Sequence, residues 1–127
     1  MNSNSIAIVG MHTRYPQVAN VDHFWNALIS GRELLAKLDQ KSIQMDPRAS
    51  LPNFVGVASL LERYESFDYD FFGFSKNEAL NMDPQHRLFL EGCWHAIEHA
   101  GYNPNDMKGD VGVFGAVAYS RYLIETN

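Results

Sequence analysis

Two imidazoles one helical turn apart, in the run His95-Ala-Ile-Glu-His99, and Glu91 one turn before them are the side chains of this 127-residue sequence best spaced to hold a metal ion. The order is not the His-Glu-x-x-His of hydrolytic zinc helices, and no distant third ligand stands out, so a solvated or interface face is the favoured reading. Asp68 and Asp70 flank Tyr69, and two carboxylates so close can divide the work of general acid and general base. In a loop of alternating aromatic and acidic residues, however, the rings anchor the loop and the carboxylates bond nearby amides or water. Cys93, the only cysteine, falls inside the helical stretch around Leu90 and Trp94, where a thiol ordinarily serves as a small hydrophobe. Gly10, Gly112 and Gly115 do not compose a dinucleotide or P-loop fingerprint, because Gly10 is followed by Met-His-Thr-Arg-Tyr-Pro and not by a glycine-rich helix start. Spacing alone therefore assigns no catalytic, cofactor-binding or metal-binding residue.

The elements that would carry these side chains alternate between strand and helix signals. Ser5-Ile-Ala-Ile-Val-Gly10 is a β-branched run closed by glycine and predicts a first buried strand. Phe24, Trp25, Leu28 and Ile29 lie on one face of a helix predicted over 21–31, with Asn20 or Asp22 as the N-terminal cap and Gly31 at the end. From Arg32 to Pro52 the periodicity fades and the chain reads as a surface excursion. Phe54 to Ala58 predicts a short strand. The aromatic loop Phe67 to Phe74 must be packed, since so many exposed rings would make an adhesive patch. Ser75-Lys-Asn-Glu78 fits a capping box at the start of a short helix. Asp83-Pro84 opens the strongest helix, with Leu90, Trp94 and Ile97 at i, i+4, i+7 until Ala100-Gly101. Asp110 to Val117 predicts a central strand thinned by two glycines.

The order points to an α/β fold, yet two convincing strands are few for a parallel sheet covered on both faces, so the chain reads as part of a layered domain. Nearly half of its residues are hydrophobic and 13% are aromatic, enough for a core, while a formal charge of −5 with 10 Lys and Arg leaves no basic stripe for nucleic acid. The apolar run Ile6 to Val9 is too short for a signal sequence or a membrane span, and a single cysteine suits a reducing cytoplasm.

Several segments in order resemble the ketosynthase (β-ketoacyl synthase) domain of modular type I polyketide synthases. Ile6-Ala-Ile-Val-Gly-Met11 with Arg14-Tyr15-Pro16 is similar to the family's first strand and turn, and Phe24-Trp25, Leu28 and Gly31 to its next helix. The stretch from Phe67 to Gly101 falls in register with the family pattern F-D-x-x-F-F-G-x-S-x-x-E-A-x-x-M-D-P-Q-x-R-x-x-L-E-x-x-W-x-A-x-E-x-A-G, and Gly112-Val-Phe114 resembles the strand that follows. The resemblance covers residues 6–31 and 54–122. His12-Thr13 stand where the family often has a small residue and cysteine, Lys76 where proline is common, and Gly115-Ala116 where a small apolar residue and glycine are usual.

The resemblance implies a thiolase-like layered fold, incomplete in this chain, with residues 1–127 forming the N-terminal part of a ketosynthase and ending before its catalytic cysteine. It implies decarboxylative Claisen condensation of acyl and malonyl thioesters on carrier proteins. There a helix-N-terminal cysteine takes the acyl chain and two histidines assist, none of which maps onto Cys93 or onto histidines 12, 23, 86, 95 and 99. The implied partners are the remainder of the ketosynthase domain, an acyl carrier protein with its phosphopantetheine arm, and a second copy in a homodimer. No cofactor, nucleic acid or membrane is expected, and the residues present are scaffold: Phe71, Phe72 and Trp94 as core anchors, Arg87 and Glu91 as an i, i+4 pair. Two other readings remain open: a non-catalytic half-domain that binds a complementary chain or carrier protein, and a metal-dependent role through His95 and His99.

Overall fold

The computed structural model describes residues 4–120 and Tyr122. In chain order these form α1 (Val21–Ile29), β1 (Ala36–Lys37), α2 (Gln40–Met45), a 3-10 turn at Pro47–Ser50, β2 (Val57–Ala58), α3 (Lys76–Asn81), α4 (Pro84–His99) and a 3-10 turn at Pro104–Asp106. They fall into two compact units. One is Arg14–Glu62, and the other joins the residues up to Thr13 with those from Arg63 onward.

In the unit Arg14–Glu62, α1 starts where expected: the Asn20 carboxamide oxygen accepts from the His23 N–H at 2.9 Å. Its end is a full Schellman closure, in which Arg32 N–H donates to Ala27 O and Gly31 N–H to Leu28 O, and Gly31 takes φ +65°. Tyr15 stacks on Phe24 with ring centroids 4.2 Å apart, fastening the chain before the helix to its face. The strand expected over Phe54–Ala58 contracts to Val57–Ala58. Its antiparallel partner Ala36–Lys37 lies in the stretch read as an excursion. That stretch also holds α2, capped by Asp39 accepting from Ser42 N–H at 2.7 Å. Asp46 then receives the Arg48 guanidinium at 2.9 and 2.7 Å and the Arg48 N–H at 2.9 Å.

In the second unit the capping box is present in both directions, Glu78 N–H to Ser75 Oγ at 3.2 Å and Ser75 N–H to Glu78 Oε2 at 2.8 Å. Asp83 caps α4 by accepting from Gln85 N–H at 2.8 Å, and Pro84 occupies the first turn without wasting a donor. A second Schellman closure ends α4, with Tyr102 N–H to Ile97 O, Gly101 N–H to Glu98 O and Gly101 at φ +78°. The rings of the loop before α3 pack on one another and on α4: Phe67 stacks on Phe72 at 5.1 Å, and Phe71 meets Trp94 edge-on at 4.6 Å.

Two expected strands are corrected. Neither 5–10 nor 110–117 joins a ladder among the described residues; both run without regular secondary structure, with Ile6 and Phe114 each 95% exposed. β-Branched composition favours an extended backbone, but a strand exists only where a neighbour supplies hydrogen bonds. Core burial is correspondingly sparse: Pro16, Ala27, Ala79 and Arg87 are the buried residues among those described.

The Asp46 contacts with Arg48 hold its carboxyl well down, from the ordinary 3.8 to about 2, the side-chain hydrogen bonds from Arg48 acting most strongly and its backbone N–H next. A lowered folded-state value means that the contact stabilises this turn above the ordinary carboxylate range and is lost as pH falls from there toward about 2. Carbon-detected NMR titration should therefore find an Asp46 midpoint near 2 in the native chain, returning toward 3.8 in Arg48→Ala.

Candidate functional site

α4 gathers the side chains singled out for chemistry, and the structure gives each a concrete neighbour. The Met11 N–H donates to His99 Nδ1 at 3.1 Å, across 88 residues of sequence. His95 Nδ1 lies 3.1 Å from Glu98 Oε2. The Glu98 carboxyl is held below its ordinary range, first by a hydrogen bond from the Trp94 side chain and then by His95. His12, which spacing could not link to this face, brings its ring centroid to 5.0 Å from that of His95. No group of three or more His, Cys, Asp or Glu residues among those described has the geometry to hold a metal ion.

Asp68 accepts from the Phe71 N–H at 3.1 Å, and its carbonyl receives the Phe72 N–H at 3.3 Å; the Asp70 carbonyl receives the Gly73 N–H at 3.0 Å. These are turn contacts. Asp68, Glu91, Trp94, His95 and Glu98 border an open cleft of about 300 Å³ between the aromatic loop and α4, floored by Phe71 and Phe72. Cys93 lies mid-helix and half-buried. The two glycines near the strand-like runs are sites of close approach. A Cβ at Gly10 would overlap the Ala96 carbonyl oxygen, and one at Gly115 would stand 2.8 Å from the Phe89 ring.

The feature that spacing did not disclose is a clasp at the start of α4. Gln85 makes a two-bond pair with the backbone of Ala118, its Nε2 donating to Ala118 O at 3.2 Å and its Oε1 accepting from Ala118 N–H at 3.1 Å. Asp83 is hydrogen-bonded by the Ser120 side chain, the largest cause of a carboxyl held below its ordinary range, with the Gln85 N–H next. Arg87 donates to Tyr122 Oη at 3.2 Å and places its guanidinium 5.7 Å from that ring's centre. Residues 83, 85 and 87 thus take 120, 118 and 122, respectively.

Arg87 also donates to Met82 O from both Nε (3.0 Å) and Nη2 (2.6 Å) and to Glu65 O from Nη1 at 3.3 Å, while only 5% exposed. Removing it takes the charge-assisted bonds from the half-buried Met82 carbonyl and from Glu65 O, so Arg87→Ala should cost about 2–3 kcal/mol in urea unfolding, and Arg87→Lys should recover less than half. Gln85→Ala should leave α4 intact yet raise hydrogen exchange at the Ala118 amide, read by NMR.

Comparison with known proteins agrees with this architecture. The family model described as "Beta-ketoacyl synthase, N-terminal domain" matches residues 3–127. The chain is 40% identical over 125 residues to a phenolphthiocerol/phthiocerol polyketide synthase of Mycobacterium tuberculosis, covering 95% of this chain and 8% of that protein. It is 36% identical over 132 residues to the polyketide synthase PksM of Bacillus subtilis, covering 94% of this chain and 3% of that one. Among solved structures, the ketosynthase from module 1 of the bacillaene synthase of Bacillus amyloliquefaciens superposes with a TM-score of 0.65 at 36% identity, covering 76% of this chain and 17% of that one. The ketosynthase from module 6 of the bacillaene synthase of Bacillus subtilis gives 0.62 at 37% identity, covering 76% and 16%. The chain thus spans under a tenth of the curated relatives and about a sixth of the solved ketosynthase chains it matches. With the motif from Phe67 to Gly101 folded as loop, capped α3 and clasped α4, this chain belongs to the β-ketoacyl synthase N-terminal domain family, as an N-terminal region of a thiolase-like ketosynthase of polyketide synthases.

Proposed function

We infer that these residues act as opening scaffold in a ketosynthase that joins acyl and malonyl thioesters by decarboxylative Claisen condensation, and that they do not themselves supply its nucleophile. The observation that carries this reading is the position of Cys93. An acyl-accepting thiolate gains its stabilisation from free amides at a helix N-terminus or from a neighbouring cation. Cys93 instead sits in the middle of α4, where backbone amides are committed to helix hydrogen bonds. The N-terminus of α4 offers no substitute, because Pro84 has no N–H and Asp83 already accepts from Gln85. His95 and His99 are engaged with Glu98 and Met11, so neither is poised beside a thiol.

The same reading supplies the partners: an acyl carrier protein presenting its phosphopantetheine-bound substrate, the remainder of the ketosynthase domain, and a second copy in a homodimer. It also puts the activity in the cytoplasm; no helix among the described residues is long and apolar enough to cross a membrane. A second reading, a non-catalytic half-domain that binds a complementary chain, draws on the exposed unpaired runs around Ile6 and Phe114.

The 127-residue chain, mixed with acyl- and malonyl-loaded carrier proteins, should show no acyl adduct by intact-protein mass spectrometry and no condensation above the chain-free background. An adduct mapped to Cys93, or any condensation product, overturns the scaffold reading. The half-domain reading expects a monodisperse species that unfolds cooperatively, and aggregation during sedimentation would sink it.

A further inference from the structure

α1 and its C-terminal cap carry His23, Asn26, Ala27 and Ser30 at i, i+3, i+4 and i+7, so the helical period puts them on one polar face. Gln17, from the chain before the helix, and Arg32, from the chain after it, turn this face into an open cleft of about 280 Å³. All six residues lie within the unit Arg14–Glu62. Ala27 is the buried member of the set, and its small side chain leaves the space open.

Arg32 is anchored through both its backbone and its side chain. Its N–H donates to Ala27 O at 2.9 Å in the closure of α1, and its Nη2 donates to Gln17 O at 2.7 Å. Gln17 meets it in a left-handed backbone conformation, φ +62°, that residues with side chains rarely adopt, and sends its own Nε2 to Leu34 O at 3.1 Å. One bond to Gln17 O leaves an edge of the planar guanidinium fork intact, and Arg32 forms no ion pair among the described residues. The Asn26 carboxamide and the His23 ring bond no other protein group among the described residues. Ser30 Oγ gives its proton to Asn26 O and Ala27 O, at 2.7 and 3.1 Å, and keeps lone pairs that can accept.

We propose that this cleft binds a small hydroxycarboxylate, its carboxylate on the Arg32 fork and its hydroxyl groups among Asn26, His23 and Ser30. The planar fork matches a planar carboxylate at two points. A single guanidinium beside neutral donors and acceptors suits one negative charge better than the nearly double charge of a phosphomonoester. Asp22 and Glu33, the nearest carboxylates in sequence, do not border the cleft, so no acidic side chain of its own occupies the fork or repels the ligand. The volume lies at the lower end of small-molecule sites, about 300–1,000 Å³, and limits the ligand to a few heavy atoms.

The test is a nitrogen-proton NMR titration of the 127-residue chain with sodium glycerate, sodium acetate, sodium phosphate and a polyglutamate peptide in separate arms at matched ionic strength. Glycerate should shift the Arg32 Nε–H and the Asn26 and Gln17 carboxamide signals saturably, and acetate, which lacks hydroxyl groups, should bind severalfold more weakly. Arg32→Lys keeps a cation without the fork and should weaken glycerate at least about tenfold. Asn26→Leu, at an exposed helix position, should weaken it severalfold. Arg48→Gln, outside the cleft, should leave it unchanged. The Gly31 amide, which donates to Leu28 O, reports the end of α1 and should keep its position in both cleft variants, separating lost binding from lost fold. Shifts that follow ionic strength alone, acetate bound as tightly as glycerate, earlier saturation by phosphate or by the peptide, or undiminished binding in Arg32→Lys overturns the proposal.

Discussion

A guanidinium that is 5% exposed cannot leave its N–H groups unanswered, and the way Arg87 answers them organises the unit built on α4. Its partners are the carbonyl of Met82, at the end of α3, the carbonyl of Glu65, ahead of the aromatic loop, and the hydroxyl of Tyr122. One side chain therefore fixes three segments to the first turns of one helix. Backbone carbonyls suit this role because the planar fork can meet several at set angles, where an ammonium on a flexible stem would reach one at a time. With so few apolar residues buried among those described, directional polar contacts do positioning that a larger core would otherwise share.

What the sequence made legible divides along the range of the interactions. The cap at Asn20, the box at Ser75 and Glu78, the start at Asp83-Pro84 and the left-handed stops at Gly31 and Gly101 all involve residues within one or two helical turns. Local hydrogen bonds leave local residue signatures. The strands fared differently. Ile6 to Val9 and Val111 to Val117 have the composition of strands but no ladder, while Ala36–Lys37, with no such composition, pairs with Val57–Ala58. Whether a run becomes a strand depends on what lies beside it, which a sequence window does not contain. α2 was hidden for another reason: in Gln40–Met45 an Asp39 cap nucleates one short turn without an apolar stripe to announce it.

The candidate site divides in the same way. That His95 and His99 share a helix face follows from spacing. That His99 receives the Met11 N–H and that His95 meets His12 rests on contacts more than eighty residues apart in the chain. The Gln85–Ala118 contact, 33 residues apart, and the Asp83–Ser120 contact also lie beyond any local window. The aromatic loop lay between these extremes, since its density of rings required mutual packing, but only the fold shows Phe71 meeting Trp94 edge-on.

The glycines bring these threads together. Gly10 and Gly115 end or interrupt the two β-branched runs, and neither belongs to a phosphate-binding motif. Each marks the point where a run crosses α4 too closely for a side chain: Gly10 over Ala96 and Ala100, Gly115 over the Phe89 ring. The runs thus rest on opposite halves of one helix, the first held by Met11 and His99 and the second by Ala118 and Gln85. A helix so bordered positions two extended segments that have no strand partner among the described residues, and their apolar side chains stay exposed. In a thiolase-like layered fold, where sheets are covered by helices, the caps of α4 are locally determined, and the helix they delimit supplies the surface against which the non-local contacts of both runs are made.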